Sequence, residues 1–184
     1  MPMHPAHVLI LPGWQGSGPD HWQSRWEALY GYRRVDQHDW ERPLRGDWIA
    51  QLEDVVLSLD VQAQGPAVLV AHSLGCVLVA AWAAHSQNTH RVKAALLVAP
   101  GDPEREALQP VLRSWSPVPT APLPFPTSLL ASQNDPYCSF ERASHFARSW
   151  GASLVDAGPS GHLNADSRLG DWPEGHAHLQ ALVA

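Results

Sequence analysis

Short apolar runs alternate along the chain with segments whose apolar residues recur at helical spacing. Few polar residues interrupt most of these runs, which is typical of parallel strands buried on both faces. A weaker and more polar strand at residues 33–37 suits the edge of a sheet. The predicted strands are residues 7–11, 33–37, 67–71, 94–99, 127–131 and 153–156.

Helices are predicted between these strands. Trp22, Trp26 and Leu29 fall on one face of the first helix, and Asp47 is placed to cap the second. Strands that alternate with helices form a mainly parallel sheet with helices on both faces, so we expect an α/β fold of about six strands. The predicted helices are residues 20–30, 47–59, 76–86, 139–150 and 174–183.

Length and charge restrict the classes of protein to which this chain can belong. Its 184 residues suit one domain, which we expect to span residues 1–184. A net charge of −6 without a block of Lys or Arg argues against nucleic-acid and anionic-membrane partners. The two cysteines form neither a CxxC motif nor a disulfide framework, and no signal-peptide or membrane-spanning pattern is present. We therefore expect a cytoplasmic protein.

The pentapeptide at residues 71–75, AHSLG, lies between a predicted strand and a predicted helix. Its serine, Ser73, has small residues, Ala71 and Gly75, at both second neighbours. Such a pattern is typical of a nucleophile elbow, a tight turn in which bulkier flanking residues would clash. The turn places the hydroxyl at a helix N-terminus, where free N–H groups favour a developing anion. The same pattern also arises by chance in loops, but its position between strand and helix favours the elbow.

A serine hydroxyl needs a base to accept its proton and a carboxylate to orient that base. In an open α/β sheet, such residues lie beyond the carboxyl ends of the strands. Asp135 and His162 both follow predicted strands, which gives the chain order Ser73, Asp135, His162, the order of nucleophile, acid and base in α/β-hydrolases. Alternatively, Asp135 belongs to a simple Asp-Pro turn that caps the next helix. Asp102 is a rival acid, and Asp156 is a weaker one.

Acyl transfer also requires two N–H donors that bind the oxyanion of the tetrahedral intermediate. One donor is expected from Leu74, which directly follows the candidate nucleophile. The second is expected from the glycine-rich loop at residues 13–18, where Trp14 is favoured over Gln15. This loop lacks the lysine and the glycine spacing of the common phosphate-binding motifs. The alternative is an ordinary strand-to-helix turn with no donor role.

Four further side chains are candidates to line the substrate pocket: Gln15, His21, His72 and Trp115. Packing in the core or on the surface is an equally open interpretation for His21, and packing on the surface is one for Trp115. The proline-rich segment at residues 102–126 is the candidate to cover the site, and it is small. Histidine pairs near both ends of the chain lack carboxylate or cysteine partners at a suitable spacing, so no metal site is expected.

Together these motifs resemble the small serine hydrolases of the YdeN and retinoblastoma-binding-protein-nine type, a compact branch of the α/β-hydrolases. The resemblance implies an α/β-hydrolase fold without a large lid, a triad of Ser73, Asp135 and His162, and no cofactor. It favours Asp135 over Asp102 and implies esterase-like activity. We therefore expect a carboxylesterase-like serine hydrolase that cleaves a small ester or a related acyl substrate. The matching segments are LPGWQGS at 11–17, HW at 21–22, VAHSLGC at 70–76, SQNDPY at 132–137, GHLN at 161–164 and GDWPEG at 170–175.

Not every property of these relatives is expected here. Retinoblastoma binding by the animal member is attributed to an LxCxE motif, and the nearest match, residues 74–78, lacks the glutamate. We therefore do not expect that partner. Two alternatives to hydrolysis remain open: a non-catalytic binding protein that retains the triad, and an acyltransferase or perhydrolase that uses the triad with another acceptor. A chain too short for a large lid favours short or slender acyl groups.

Overall fold

The computed structural model describes residues 4–184. Its strands are β1 (Val8–Leu11), β2 (Arg33–Arg34), β3 (Ala67–Ser73), β4 (Val92–Pro100), β5 (Thr127–Ala131) and β6 (Ser153–Asp156). They form one sheet in the order β2-β1-β3-β4-β5-β6, and every neighbouring pair is parallel. The predicted α/β fold with a six-stranded parallel sheet is confirmed.

Helices cover both faces of the sheet. Side chains alternate between the two faces along each strand, so Leu69 and Val68 of β3 belong to separate apolar clusters. Helices α2, α4 and α6 pack on the face of Leu69, and helices α1 and α7 pack on the face of Val68. Within residues 4–184 the α-helices are α1 (Trp22–Tyr30), α2 (Arg45–Ser58), α3 (Val61–Gln64), α4 (Leu74–Ala83), α5 (Gln109–Leu112), α6 (Phe140–Trp150) and α7 (Pro173–Val183).

Helix α4 lies in the interior of the molecule. Every residue from Leu74 to Trp82 is buried, so this helix has no polar face. Its sequence is correspondingly apolar throughout. The central position of α4 holds the N-terminal end of the helix, and with it Ser73, directly against the carboxyl ends of the neighbouring strands.

Two local predictions were wrong. Strand β2 spans only Arg33–Arg34 rather than residues 33–37, because its pairing with β1 is short and the chain then leaves the sheet. Asp47 does not cap α2, since the helix begins at Arg45 and Leu44 occupies the N-cap without a side-chain bond. Asp47 lies instead in the first turn, where a negative charge still suits the helix dipole.

The proline-rich segment at residues 102–126 consists mainly of short helical turns and irregular chain between β4 and β5. It contains α5 and contributes Leu112, Trp115 and Phe125 to the core. In the described part of the chain, no helix combines the length and the apolar character that crossing a membrane requires.

Candidate active site

Ser73 lies at the junction of β3 and α4, in a backbone conformation that non-glycine residues rarely adopt. Its φ is +54° and its ψ is −120°. Glycines allow this turn to pack tightly against the end of β1. A Cβ added at Gly13 would lie 2.8 Å from Ser73 Cβ, and one at Gly75 would lie 2.3 Å from the carbonyl oxygen of Leu11. The strain and the close packing are those of a nucleophile elbow.

A continuous chain of hydrogen bonds joins Ser73, His162 and Asp135. Ser73 Oγ lies 2.9 Å from His162 Nε2, and His162 Nδ1 lies 2.9 and 2.8 Å from the two oxygens of Asp135. Because a carboxylate accepts hydrogen bonds and does not donate them, Nδ1 carries the proton of the neutral ring. Nε2 is then free to accept the proton of the serine hydroxyl.

The loop that carries His162 is tied to the loop that follows β5. Ser132 Oγ accepts a hydrogen bond from the backbone N–H of Ser160 at 2.9 Å, and Asn134 Oδ1 accepts one from Gly161 at 2.8 Å. Gly161 has a φ of +63°, which glycine adopts without strain. These bonds position His162 and Asp135 relative to each other.

The backbone that follows Gly161 is held from the other side by two buried rings. His72 Nε2 donates to the carbonyl oxygen of His162 at 2.9 Å. Trp22 Nε1 donates to the carbonyl oxygen of Leu163 at 2.8 Å. Trp22, the second residue of the HW segment at 21–22, therefore supports the loop that carries His162.

Asp135 also stabilises its own turn. One of its oxygens accepts a hydrogen bond from the backbone N–H of Tyr137 at 2.8 Å. It does not cap the next helix, because Ser139 occupies the N-cap of α6 and accepts from the N–H of Arg142. The alternative interpretation of Asp135 as a plain helix cap is therefore wrong.

The two rival acids are engaged elsewhere. Asp102 lies 3.4 Å from the guanidinium of Arg142. Asp156 accepts hydrogen bonds from the backbone of Gly158 and from the side chain of Gln133. Of the acids in the described residues, Asp135 is the one hydrogen-bonded to His162.

Two backbone N–H groups are available near Ser73. The N–H of Leu74 is the first in α4, where no intrahelical acceptor exists. In the glycine-rich loop, the N–H of Gln15 donates to the carbonyl of Trp40 at 3.0 Å, whereas no such bond engages the N–H of Trp14 within residues 4–184. The structure therefore favours Trp14 over Gln15 as the second candidate donor.

Gly101, which sequence reasoning missed, keeps the space above the serine open. A Cβ added at Gly101 would lie 3.3 Å from Ser73 Oγ and 3.5 Å from the nitrogen of Leu74. A methyl group there would fill part of the space next to the Ser73 hydroxyl. Its signal in the sequence was its place directly after β4, because the carboxyl ends of neighbouring parallel strands lie together.

Ser73 opens into a cavity of about 260 Å³. This volume lies just below the usual range of ligand pockets, which is about 300–1,000 Å³. One wall is apolar and comes from the proline-rich segment, through Pro103, Leu108 and Leu112. The residues on the cavity wall that the sequence nominated are Trp14, Gln15, His21, His72, Leu74 and His162, besides Ser73 itself.

Trp115 does not border this cavity, and its prediction as a pocket residue was wrong. Its side chain is fully buried and meets Trp48 edge to face, with ring centroids 5.5 Å apart. Its Nε1 donates to the carbonyl oxygen of Pro43 at 2.8 Å, so the ring is committed to the core. Spacing alone does not show which side of an irregular segment faces the site.

His21 and His72 lie next to each other in the cavity wall, with ring centroids 4.6 Å apart, and His72 lies 4.8 Å from His162. Burial lowers the pKa of His21 to about 3, with smaller contributions from nearby positive groups. Burial and the neighbouring histidines hold the pKa of His72 well below its ordinary value. Both rings are therefore neutral at physiological pH and do not oppose a positive charge on His162.

A metal centre is not evident in this region. Within residues 4–184, no three His, Cys, Asp or Glu side chains are grouped so that they could hold a metal ion.

A family model described as serine hydrolase matches residues 8–181 of the chain. Among solved structures, a protein described as a YdeN-like hydrolase from Pectobacterium atrosepticum is 29% identical with a TM-score of 0.81, over 96% of this chain and 89% of that one. The ydeN gene product of B. subtilis is 19% identical with a TM-score of 0.73, over 95% and 97% of the two chains.

A more distant solved structure, Est1E from Butyrivibrio proteoclasticus with ferulic acid bound, is 15% identical with a TM-score of 0.68, over 96% of this chain and 88% of that one. At these lower identities, the similarity to the B. subtilis and Butyrivibrio proteins shows a common fold alone. No curated protein matches the chain in sequence.

Proposed function

Because the chain belongs to the serine hydrolase family, we propose that it is a carboxylesterase-like enzyme that cleaves a small ester or a related acyl substrate. The observation that carries this proposal is the unbroken hydrogen-bond chain from Ser73 through His162 to Asp135. These three residues act as nucleophile, general base and orienting acid.

In the first half of the reaction, Ser73 Oγ attacks the carbonyl carbon while its proton passes to His162 Nε2. Asp135 holds the imidazole in the correct tautomer and stabilises the positive charge that the ring acquires. The N–H groups of Leu74 and Trp14 donate to the oxyanion of the tetrahedral intermediate. When the intermediate collapses, His162 returns the proton to the leaving alcohol, and an acyl group remains on Ser73.

In the second half, a water molecule gives a proton to His162 and attacks the acyl-enzyme. The second intermediate collapses, the proton returns to Ser73 Oγ, and the carboxylic acid is released. Two neutral rings, His21 and His72, border the same cavity. Because they carry no charge, the imidazolium of His162 is not destabilised by a neighbouring cation.

The thiols of the chain do not compete with Ser73 for the role of nucleophile. Cys76 and Cys138 are both buried in the core. Burial raises the pKa of the Cys76 thiol far above its ordinary value and that of Cys138 to about 12. Since the thiolate is the reactive form, both cysteines are inert packing residues.

The cavity supports short or slender acyl groups. Its volume of about 260 Å³ leaves little room for a long chain. Leu108 and Leu112 form an apolar wall that suits the hydrocarbon part of the substrate. The segment that carries them is small compared with a lid domain, which agrees with the expectation from chain length.

A fluorophosphonate probe together with short p-nitrophenyl esters tests the proposal. The wild-type protein is expected to hydrolyse the acetate or butyrate ester and to carry the probe on Ser73. Ser73→Ala should abolish labelling and lower kcat by a factor on the order of 10⁶. Ser144→Ala is the matched control, because the Ser144 hydroxyl donates to the carbonyl of Phe140 within α6, away from the cavity.

Labelling at another residue, or a well-folded protein that takes no probe, would overturn the assignment of Ser73. Labelling without ester turnover would favour a non-catalytic binding protein. Products formed with an added alcohol or with peroxide, in excess over the free acid, would identify an acyltransferase or a perhydrolase.

A further inference from the structure

One side-chain nitrogen of the cavity wall has no hydrogen-bond partner within the part of the chain that the structure describes. Within residues 4–184, three buried side-chain atoms lack a hydrogen bond: His21 Nε2, Gln37 Oε1 and Arg142 Nε. Of these residues, only His21 borders the cavity that opens onto Ser73. His21 is 4% exposed, so bulk solvent does not reach its ring freely.

The protonation of His21 follows from its place at the start of α1. Its Nδ1 accepts a hydrogen bond from the backbone N–H of Gln23 at 3.1 Å and caps the helix. A ring nitrogen that accepts a hydrogen bond carries no proton, so the proton of the neutral imidazole lies on Nε2. The helix cap therefore fixes both the tautomer and the orientation of the ring, with Nε2 as a donor.

The neighbouring ring does not accept this proton. His72 Nε2 donates to the carbonyl of His162 at 2.9 Å, which fixes its own tautomer. The rings of His21 and His72 meet edge to face at an angle of 70°, and no hydrogen bond joins them. The N–H of His21 therefore has no hydrogen-bond acceptor within residues 4–184, although the residue itself borders the cavity.

We propose that His21 determines specificity by donating a hydrogen bond from Nε2 to a second oxygen of the substrate, apart from the scissile carbonyl oxygen. The proposal rests on the hydrolase function assigned to Ser73. The scissile carbonyl oxygen is bound by the N–H groups of Leu74 and Trp14, which leaves the imidazole donor for another acceptor. The substrate class is thus a short ester that carries an uncharged ether, hydroxyl or carbonyl oxygen in its acid or its alcohol part.

An uncharged oxygen fits this site better than an anionic group. The donor is a neutral imidazole, and no Lys or Arg borders the cavity among the described residues. Asp166 lies exposed at the rim, and the net charge of the chain is −6. Each of these features disfavours a carboxylate group on the substrate.

Three esters of nearly equal shape test the proposal. Butyl butyrate is the reference, butyl methoxyacetate carries an ether oxygen in its acid part, and 2-methoxyethyl butyrate carries one in its alcohol part. Values of kcat/KM are measured by titration of the released acid for the wild-type protein and for His21→Ser. Serine retains a side chain suited to the helix N-cap but is too short to replace the Nε2 donor.

We expect His21→Ser to lower kcat/KM for one of the two oxygen-bearing esters by roughly tenfold more than for butyl butyrate. Each ester is compared between the wild-type protein and the variant, so differences in intrinsic reactivity among the esters cancel. A cooperative thermal unfolding transition and fluorophosphonate labelling confined to Ser73 show that the variant is folded and that its nucleophile is intact. His145→Ser, an exposed substitution in α6 away from the cavity, should leave the kcat/KM of each ester as it is in the wild-type protein.

An equal change for all three esters, or no change, would overturn the proposal and leave His21 as a helix cap alone. Failure of the hydrolase function itself has a different signature: a wild-type protein that neither hydrolyses the esters nor takes the probe. That result would overturn both proposals.

Discussion

Asp135 makes the contacts that a residue in the acid position of a triad requires. Its carboxylate accepts from His162 Nδ1 and from the N–H of Tyr137, and its side chain is only 3% exposed. In such an environment, with little screening by water, a hydrogen bond to a charged group is strong. The ring of Tyr137 also lies 4.5 Å from the ring of His162 and shields it.

Replacing Asp135 tests this role against that of the rival acid. Asp135→Asn leaves the shape of the side chain unchanged but no longer holds His162 in the required tautomer, so kcat should fall by about 10⁴-fold. Asp102→Asn removes a partly screened ion pair to Arg142 and should leave kcat within a few-fold of the wild type. Steady-state rates on p-nitrophenyl butyrate measure both effects. Equal losses in the two variants would contradict the assignment.

At the scale of single residues, the sequence was most informative where chemistry restricts the choice. Ser73, Asp135 and His162 could be nominated because each follows a strand and because their order is that of a known constellation. Gly101 and Leu108 were not nominated, because a glycine and a leucine have many roles; the place of Gly101 directly after β4 was the one signal, and Leu108 had none. Only the folded chain shows that they border the cavity.

At the scale of elements, the junction of β3 and α4 is the most closely packed part of the site. Gly75 lies in the first turn of α4, against the carbonyl oxygen of Leu11 at the end of β1. A Cβ there would stand 2.3 Å from backbone, which cannot move aside as a flexible side chain can. The close approach of this helix to the sheet therefore requires glycine.

Gly75→Ala should destabilise the protein by about 3 kcal/mol, because it overpacks the junction. Gly46→Ala is the matched control: Gly46 lies within α2, and nothing lies within 4 Å of an added Cβ. The control should stabilise the protein by about 0.5–1 kcal/mol, since alanine is the better helix former. Urea unfolding measures both free energies, and a neutral or stabilising Gly75→Ala would show that the junction is looser than described.

The elements differ in how well local patterns predict them. Strand β5 begins and ends where its apolar run predicts, and α6 begins directly after its serine cap. Strand β2 is shorter than predicted because an edge strand lasts only as long as its one neighbour pairs with it. Helix α3 was missed because four residues are too few to show a helical period.

At the scale of the whole molecule, the parallel sheet assembles the site. Ser73 ends β3, Asp135 follows β5 and His162 follows β6, so all three lie beyond the carboxyl ends of strands on one edge of the sheet. The serine is 62 residues from the acid along the chain and 89 from the base, counted from their residue numbers. The topology turns these separations into hydrogen bonds of about 2.9 Å.

The buried neutral histidines predict that the whole protein loses stability in mild acid. In the unfolded chain, His21 and His72 bind protons as the pH falls below 6.5, whereas in the folded protein the pKa of His21 is about 3 and that of His72 is also well below its ordinary value. Between about pH 6 and pH 3 the unfolded state therefore binds more protons, and the free energy of unfolding falls by up to about 1.4 kcal/mol per pH unit for each ring.

Urea unfolding at several pH values between about 4.5 and 7.5 measures how the free energy of unfolding depends on pH. This range spans the titration of an ordinary histidine. His21→Ser removes one of the two groups and should make the slope shallower by about 1.4 kcal/mol per pH unit at its lower end. A slope that is identical in the wild type and in the variant would show that His21 titrates alike in the folded and unfolded states.

By itself, the sequence determined the class of fold, most of the strands and helices, and the three residues of the candidate triad. Apolar periodicity and turn residues act locally, and the triad carries a recognisable order and local context, so both are visible along one chain. The tertiary structure decided that Trp115 belongs to the core, that Leu108 and Leu112 contribute to the cavity wall, and that the N–H of His21 has no partner among the described residues. Those properties depend on which distant side chains meet in space, because burial and hydrogen-bond partners arise only when the layers pack.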